Sequence, residues 1–148
     1  MIEALKQLFI RDLEKLKAEI SSYTSEQNLW KIKGTVNNSG GNLALHICGN
    51  LQHFIGATLG NTGYVRNREA EFSRKNVPIR ELVAEIELTI KVVQKTLSEL
   101  KEDVLQKKYP IDVFGYEVTT EFFLTHLNTH LTYHLGQINY HKRLIENF

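Results

Sequence analysis

The sequence predicts an all-α protein, and more narrowly a four-helix bundle. Apolar residues recur every three or four positions along four separate stretches, which is the period of an amphipathic α-helix. Patterns typical of strands are weak, and the clearest, over residues 109–118, predicts only a short extended turn. Four amphipathic helices can enclose one core in a chain of 148 residues, so we expect a single domain over residues 1–148.

The first two helices are predicted in the N-terminal half. The first has one apolar face, formed by Ile2, Leu5, Phe9, Leu13, Leu16 and Ile20. The second runs from about Asn42 to about Leu59, because capping residues and two glycines precede it and Gly60 follows it. Gly49 and Gly56 inside this helix lower its intrinsic helix propensity, which predicts that another helix approaches it closely there.

The other two helices are predicted in the C-terminal half. The third has Pro78 in its first turn, where a proline is well tolerated, and its apolar face continues to Val104. The fourth extends from about Thr119 to about Ile145, with Glu121 near the positive end of its dipole. The two long connections, residues 21–41 and 60–77, can each cross an end of the bundle, which permits a helix order other than up-down-up-down.

The composition excludes several classes of protein. Eighteen basic and seventeen acidic residues give a net charge of +1, which excludes the broad basic surface of a non-specific nucleic-acid binder. A single cysteine excludes an intrachain disulfide and a thiolate-built zinc site, and it fits a reducing compartment. The chain lacks both a signal-peptide pattern and the ~18 consecutive apolar residues of a membrane span. We therefore expect a cytoplasmic protein without a nucleic-acid or membrane partner.

Six histidines are the unusual feature of the composition. In the fourth helix His126, His130 and His134 are spaced four apart and form one stripe, which Gln137 and His141 continue. Polar residues occupy the opposite side of that helix, so the stripe is predicted to face the interior of the bundle.

A shared metal ion removes the cost of burying several imidazoles without partners. Two histidines four apart on a helix suit one cation, and the third ligand must come from another helix, where His46 and His53 are the candidates. Three histidines with an open position are typical of catalytic zinc, and imidazole also suits nickel, iron and copper. The alternative is a set of hydrogen-bonded core histidines. The Glu-x-x-His pattern of di-iron bundles is absent, and so are HExxH and CxxC.

Two segments of the chain carry a resemblance to a known family. Residues 130–137, HLTYHLGQ, match the H-x-x-x-H-x-G-Q motif of the DinB-like (YfiT-like) metalloenzymes, and the longer string HLTYHLGQINYHKRL is similar to their final helix. The string GGNLALHICGNLQHFIGA resembles their second helix, whose single histidine supplies the first ligand. The strings NLWKIKGTVNNSGGN and TGYVRNREAEF are similar to one bacterial subgroup of that family.

The resemblance implies an up-down-down-up bundle, frequent homodimers, and a nickel, zinc or similar divalent ion. The ligands that it implies are His46, His130 and His134. His126 and His53 do not match ligand positions of the family, and we assign both of them, with Gln137 of the motif, to supporting roles around the site. The alternatives are packing in the core for the two histidines and contact with a partner helix for Gln137. Some members of the family are S-transferases or isomerases that use low-molecular-weight thiols, and their substrates are small molecules.

A mechanism follows from a metal in such a site. The ion would lower the pKa of a thiol or water in its open position, making a nucleophile at neutral pH. Arg66, Arg68 and Arg74 carry planar guanidinium groups that suit a carboxylate-bearing thiol cofactor, and the alternative is that they pair with Glu69 or Glu71. The predicted function is a metal-dependent thiol S-transferase. The alternatives are a metal-dependent hydrolase and a non-enzymatic metal-binding or stress-related protein.

Overall fold

A computed structural model of the protein describes residues 1–146, and helices form the core of this part of the chain. Its α-helices are α1 (Ile2–Ser21), α2 (Gly40–Leu51), α3 (Arg68–Ser73), α4 (Ile79–Glu99) and α5 (Thr120–Glu146). α2 continues through a π-helical stretch (Gln52–Ala57) into a last α-helical turn (Thr58–Gly60), and short 3-10 helices span Glu26–Trp30 and Glu102–Gln106. An isolated bridge between Lys108 and Thr119 is the extended pairing near the predicted turn. The all-α prediction is confirmed.

The four long helices pack as a bundle in which α1 and α2 are diagonal neighbours. α1 runs antiparallel to α4 and parallel to α5, whereas α2 runs parallel to α4 and antiparallel to α5. The contacts that fix these directions are Lys6–Ser98, Lys17–Glu87, Asp12–Thr132, Glu19–Asn139, Gln52–Thr89, Gly60–Thr96, His46–His130 and Gly40–His141. The helix order is therefore up-down-down-up, and the two long connections cross the ends of the bundle.

The apolar faces predicted from the periodicity form one core. Fully buried side chains come from all four long helices: Phe9, Leu13, Leu16, Ile47, Leu51, Ile86, Val93, Leu127 and Leu131. Removal of this apolar surface from water is the main favourable term in the stability of the bundle. Within residues 1–146, no helix combines the length and the apolar character needed to cross a lipid bilayer.

Three local features differ from the predicted elements. The third predicted helix ends at Glu99 and does not reach Val104, because the backbone adopts an extended conformation at Leu100. The chain that follows buries Leu105 and Tyr109 in the core. The second predicted helix contains a π-helical stretch, and directly after that stretch the Thr58 hydroxyl donates to the His53 carbonyl oxygen. The connection between α2 and α4 contains a helix of its own, α3, which the apolar periodicity does not reveal.

Candidate metal centre

Three imidazole rings meet where α2 passes α5. The Nε2 atom of His46 lies 3.3 Å from Nε2 of His130, and Nε2 of His134 lies 3.0 Å from the same atom. Within residues 1–146, one ligand atom from each of these three residues falls within 4.8 Å of the others. His46 is buried, and the other two rings are half-buried. The stripe on α5 therefore borders the core rather than facing its centre as predicted, and solvent can reach the cluster.

Hydrogen bonds at the Nδ1 atoms of His46 and His134 fix the tautomers of these two rings. Nδ1 of His46 lies 3.0 Å from Glu71 Oε1, and Nδ1 of His134 lies 2.7 Å from Gln137 Oε1. Carboxylate and amide oxygens only accept, so both Nδ1 atoms carry the proton and donate it. Nη2 of Arg66 also lies 3.4 Å from Nδ1 of His46, but it donates to Glu71 Oε1 at the shorter distance of 2.9 Å. When each ring is neutral, the Nε2 atoms of His46 and His134 are therefore unprotonated, and both lone pairs point at His130.

The positions of the three Nε2 atoms suit coordination of a divalent cation better than hydrogen bonding among the three rings. His130 Nε2 carries one proton at most when its ring is neutral, so it can satisfy only one of the two lone pairs that face it. Metal–nitrogen bonds of ~2.0–2.1 Å at tetrahedral or octahedral angles place neighbouring ligand atoms roughly 2.9–3.4 Å apart. The two Nε2 separations, 3.3 and 3.0 Å, lie in that range. The three histidines are therefore positioned to bind a metal ion.

The surroundings of His130 and His134 keep these two rings neutral. Burial and the neighbouring His134 and His46 lower the pKa of His130 to about 4. Burial also lowers the pKa of His134, although its hydrogen bond to Gln137 acts in the opposite direction. Both rings consequently have a free lone pair at neutral pH, and a cation need not displace a proton from them.

Glu71 is hydrogen-bonded to the proposed ligand His46, and the sequence analysis did not predict this role. Its carboxylate is buried against α2 and accepts hydrogen bonds from His46 and from Nε and Nη2 of Arg66, the latter two at 2.9 Å. Burial acts to raise the pKa of Glu71, but the hydrogen bonds from His46 and Arg66 outweigh burial and hold this pKa below its ordinary value. Asn67 caps α3 by accepting a hydrogen bond from the amide of Ala70. This capping pattern is the signal in the sequence for the helix that carries Glu71.

Comparison with known families assigns the sequence to a defined family. The sequence profile of the family described as protein of unknown function DUF1572 matches residues 2–148. The chain belongs to the DUF1572 family. Comparison with curated protein sequences gave no match. The DUF1572 profile names neither DinB nor YfiT, so the narrower resemblance stays a prediction.

The predicted supporting residues of this DUF1572 chain have different surroundings. Gln137 contacts a predicted ligand directly, and its Nε2 donates to the Tyr133 hydroxyl at 3.2 Å. His126 packs edge-on against Phe114, with ring centroids 4.9 Å apart, and lies 6.3 Å from the ring of His130. His53 packs against the neighbouring Phe54 at 4.7 Å. Neither His126 nor His53 is part of the three-histidine group in the described chain.

The predicted arginines also separate into two environments. Arg66 is paired with buried Glu71, so it makes the ion pair that was predicted as the alternative to binding a cofactor. Arg68 is exposed, and its guanidinium lies over the ring of Phe72 at 5.2 Å from the centroid. The same Phe72 ring contacts His46 at 4.9 Å, so Arg68 lies one aromatic ring away from the centre.

Proposed function

We propose that this DUF1572 protein is a divalent-metal-dependent enzyme in which His46, His130 and His134 hold the ion. The convergence of their three Nε2 atoms carries the proposal. Among the described residues no fourth histidine, cysteine or carboxylate joins the group, which leaves coordination positions for a substrate. Nickel and zinc are the ions we propose, because neutral imidazole nitrogen suits both.

The reaction that we propose is transfer of a low-molecular-weight thiol to an electrophilic small molecule. A divalent ion held by these histidines would lower the pKa of a thiol bound to it. Cys48 is fully buried, and burial raises the pKa of its thiol to about 12, which favours a nucleophile supplied by a small molecule. The thiol proton leaves to solvent, the sulfur forms a bond to the electrophilic carbon of the substrate, and the leaving group on that carbon departs with its bonding electron pair.

The surface near the three histidines offers a positive charge for such a molecule. Arg68 supplies an exposed cation that suits a carboxylate on the thiol or its acceptor. This charge supports a small anionic thiol as one of the two reactants.

Metal analysis of purified protein tests the ligand assignment. We expect about one nickel or zinc ion per wild-type chain after reconstitution, since a three-histidine site holds one ion. His130→Ala should lose the ion, whereas the control His53→Ala should retain it. The assignment is wrong if wild-type protein takes up no stoichiometric metal, or if His53→Ala loses the metal and His46→Ala keeps it.

Assays of the loaded protein separate the candidate reactions. With bacillithiol or glutathione and a model electrophile, we expect consumption of the thiol that requires His130. Turnover of an ester or amide without added thiol would instead identify the hydrolase. Stoichiometric metal with neither reaction across a broad set of substrates would favour the non-enzymatic metal-binding protein.

We also propose that the chain forms a homodimer through α5. Tyr133, Tyr140 and Leu144 lie on one stripe of that helix and are 63%, 71% and 42% exposed. Exposed tyrosine and leucine side chains on one helix face are typical of protein interfaces.

A further inference from the structure

The carboxylate of Glu71 lies between a proposed metal ligand and an arginine. One oxygen, Oε1, accepts from His46 Nδ1 at 3.0 Å and from Arg66 Nη2 at 2.9 Å, and Oε2 accepts from Arg66 Nε at 2.9 Å. The side chains of His46, Glu71 and Arg66 are only 7%, 6% and 12% exposed. A carboxylate so buried is stable as an anion only because these donors compensate its lost hydration.

The fold holds this carboxylate in place from two directions. The amide of Asn42 on α2 donates to the backbone carbonyls of Glu71 and Arg74, which fastens α3 to α2. Gly49 lies directly behind the carboxylate, and a Cβ atom there would collide with Glu71 Oε2. The position of the anion is therefore set by two helices, not by a flexible loop.

The three histidines receive unequal support from their surroundings. His46 donates to a carboxylate, and His134 donates to the neutral amide oxygen of Gln137. A carboxylate partner raises the basicity of a metal-ligating imidazole more than a neutral oxygen does. Arg66 holds the carboxylate and balances its charge, so the centre gains a stronger ligand without gaining net negative charge.

We propose that Glu71 is a positioning residue for the centre, which fixes His46 in the Nδ1–H tautomer and makes it the strongest of the three ligands. This inference rests on the proposed metal site, but the tautomer it requires exists before any ion binds. The role of α3 is then to place the Glu71 carboxylate beside the imidazole ring of His46 on α2.

The tautomer can be read directly in metal-free protein. Nitrogen-15 NMR of the histidine rings distinguishes a protonated Nδ1 from a protonated Nε2, and the His46 signals can be assigned with a His46→Ala sample. We expect His46 to be held as Nδ1–H in the wild-type chain and to become a mixture of tautomers in Glu71→Gln. A wild-type His46 protonated mainly at Nε2 would overturn the proposal, whatever the variant does.

Metal affinity supplies the second measurement. Loss of an outer carboxylate partner typically weakens metal binding about 10–100-fold, and we expect a loss of that size in Glu71→Gln. Glu85→Gln is the matched control, because Glu85 is a half-buried acid whose carboxylate accepts from Gln52 and makes no contact with His46. This control removes the same charge and should bind metal as the wild-type chain does.

The outcomes separate this proposal from the proposed function. Wild-type protein that binds no metal would end the proposed function, while the NMR result still decides the role of Glu71. If the wild-type chain binds metal and Glu71→Gln binds it equally well, Glu71 is not a positioning residue. Equal weakening in Glu71→Gln and Glu85→Gln would show a general charge effect and would also overturn the proposal.

Discussion

The rings of His141 and His46 are both buried, but their nitrogen atoms have different partners. Nδ1 of His141 accepts from the Tyr23 hydroxyl at 2.7 Å, and its Nε2 donates to the Lys31 carbonyl oxygen at 2.8 Å. Both nitrogens are thus used inside the protein. His46 uses only Nδ1 in this way and keeps the Nε2 lone pair for the centre. The partners, not the burial, separate the structural histidine from the proposed ligand.

His141 should make stability depend on pH. Burial lowers its pKa, so the folded state binds a proton less readily than the unfolded state does. Its contribution is therefore complete above the ordinary pKa of about 6.5 and is lost as the pH falls below that value. In the presence of a chelator, we expect the difference in unfolding free energy between wild type and His141→Gln to be about 1–3 kcal/mol at pH 7.5 and smaller at pH 5.

Denaturant unfolding at several pH values measures this difference. His126→Gln is the control, because that ring lies outside the hydrogen bonds to Tyr23 and Lys31. Its pH dependence should follow the wild-type curve. A constant difference between wild type and His141→Gln from pH 7.5 to pH 5 would contradict the assignment.

The glycines of the second helical segment allow two close approaches between elements. Gly49 lies against the Glu71 carboxylate, and Gly56 lies against the side chain of Val92 on α4. A methyl group at either position would collide with these neighbours. The helix therefore tolerates two residues of poor helix propensity because each one makes room for another element. This confirms the close approach that the sequence predicts.

The two glycines should differ in their effect on the metal centre. Gly49→Ala displaces Glu71, so we expect weaker metal binding, by about 10–100-fold, together with some loss of stability. Gly56→Ala crowds only Val92, and we expect it to cost about 1–3 kcal/mol of stability with metal affinity unchanged. Calorimetric titration and thermal unfolding of the two variants measure both quantities. Equal metal affinities in the two variants would contradict the role given to Gly49.

The helix α3 shows the limit of periodicity as a signal. It has six residues, too few for an apolar repeat to stand out, and its stability depends on packing against α2. Its cap residue Asn67 and the acids Glu69 and Glu71 in its first turn are typical of a helix N-terminus. The sequence therefore held a local signal for the helix, but none for the ring that Glu71 contacts.

At the scale of the whole molecule, the helix order creates the site. α2 and α5 run in opposite directions side by side, so His46 comes level with the pair His130 and His134. His53 is seven residues further along, or about 10 Å along the helix axis, and cannot share the same ion. The choice between His46 and His53 thus depends on how the two helices are placed along each other.

The proposed dimer is also a property of the whole molecule. We expect a dimer in sedimentation velocity at micromolar concentration, and we expect Tyr140→Lys to shift the protein to monomer because it places a charge in an apolar contact. Tyr116→Lys is the matched control, since Tyr116 is 61% exposed and lies outside the α5 stripe. A wild-type monomer, or equal effects of the two substitutions, would contradict an interface on α5.

The sequence by itself determined the four helices and the placement of His130 and His134 on one side of α5. Both follow from the fixed geometry of an α-helix, in which residues four apart are neighbours whatever the rest of the chain does. Spacing left open which histidine on the second helix faces that pair, and the family resemblance predicted His46. The tertiary structure brings His46 to the pair and decides which carboxylate supports it. These contacts join residues 84 and 25 positions apart in the chain, and they depend on the packing of whole helices. Local spacing specifies a helix face, whereas the position of one face against another is set by the sum of contacts across the core.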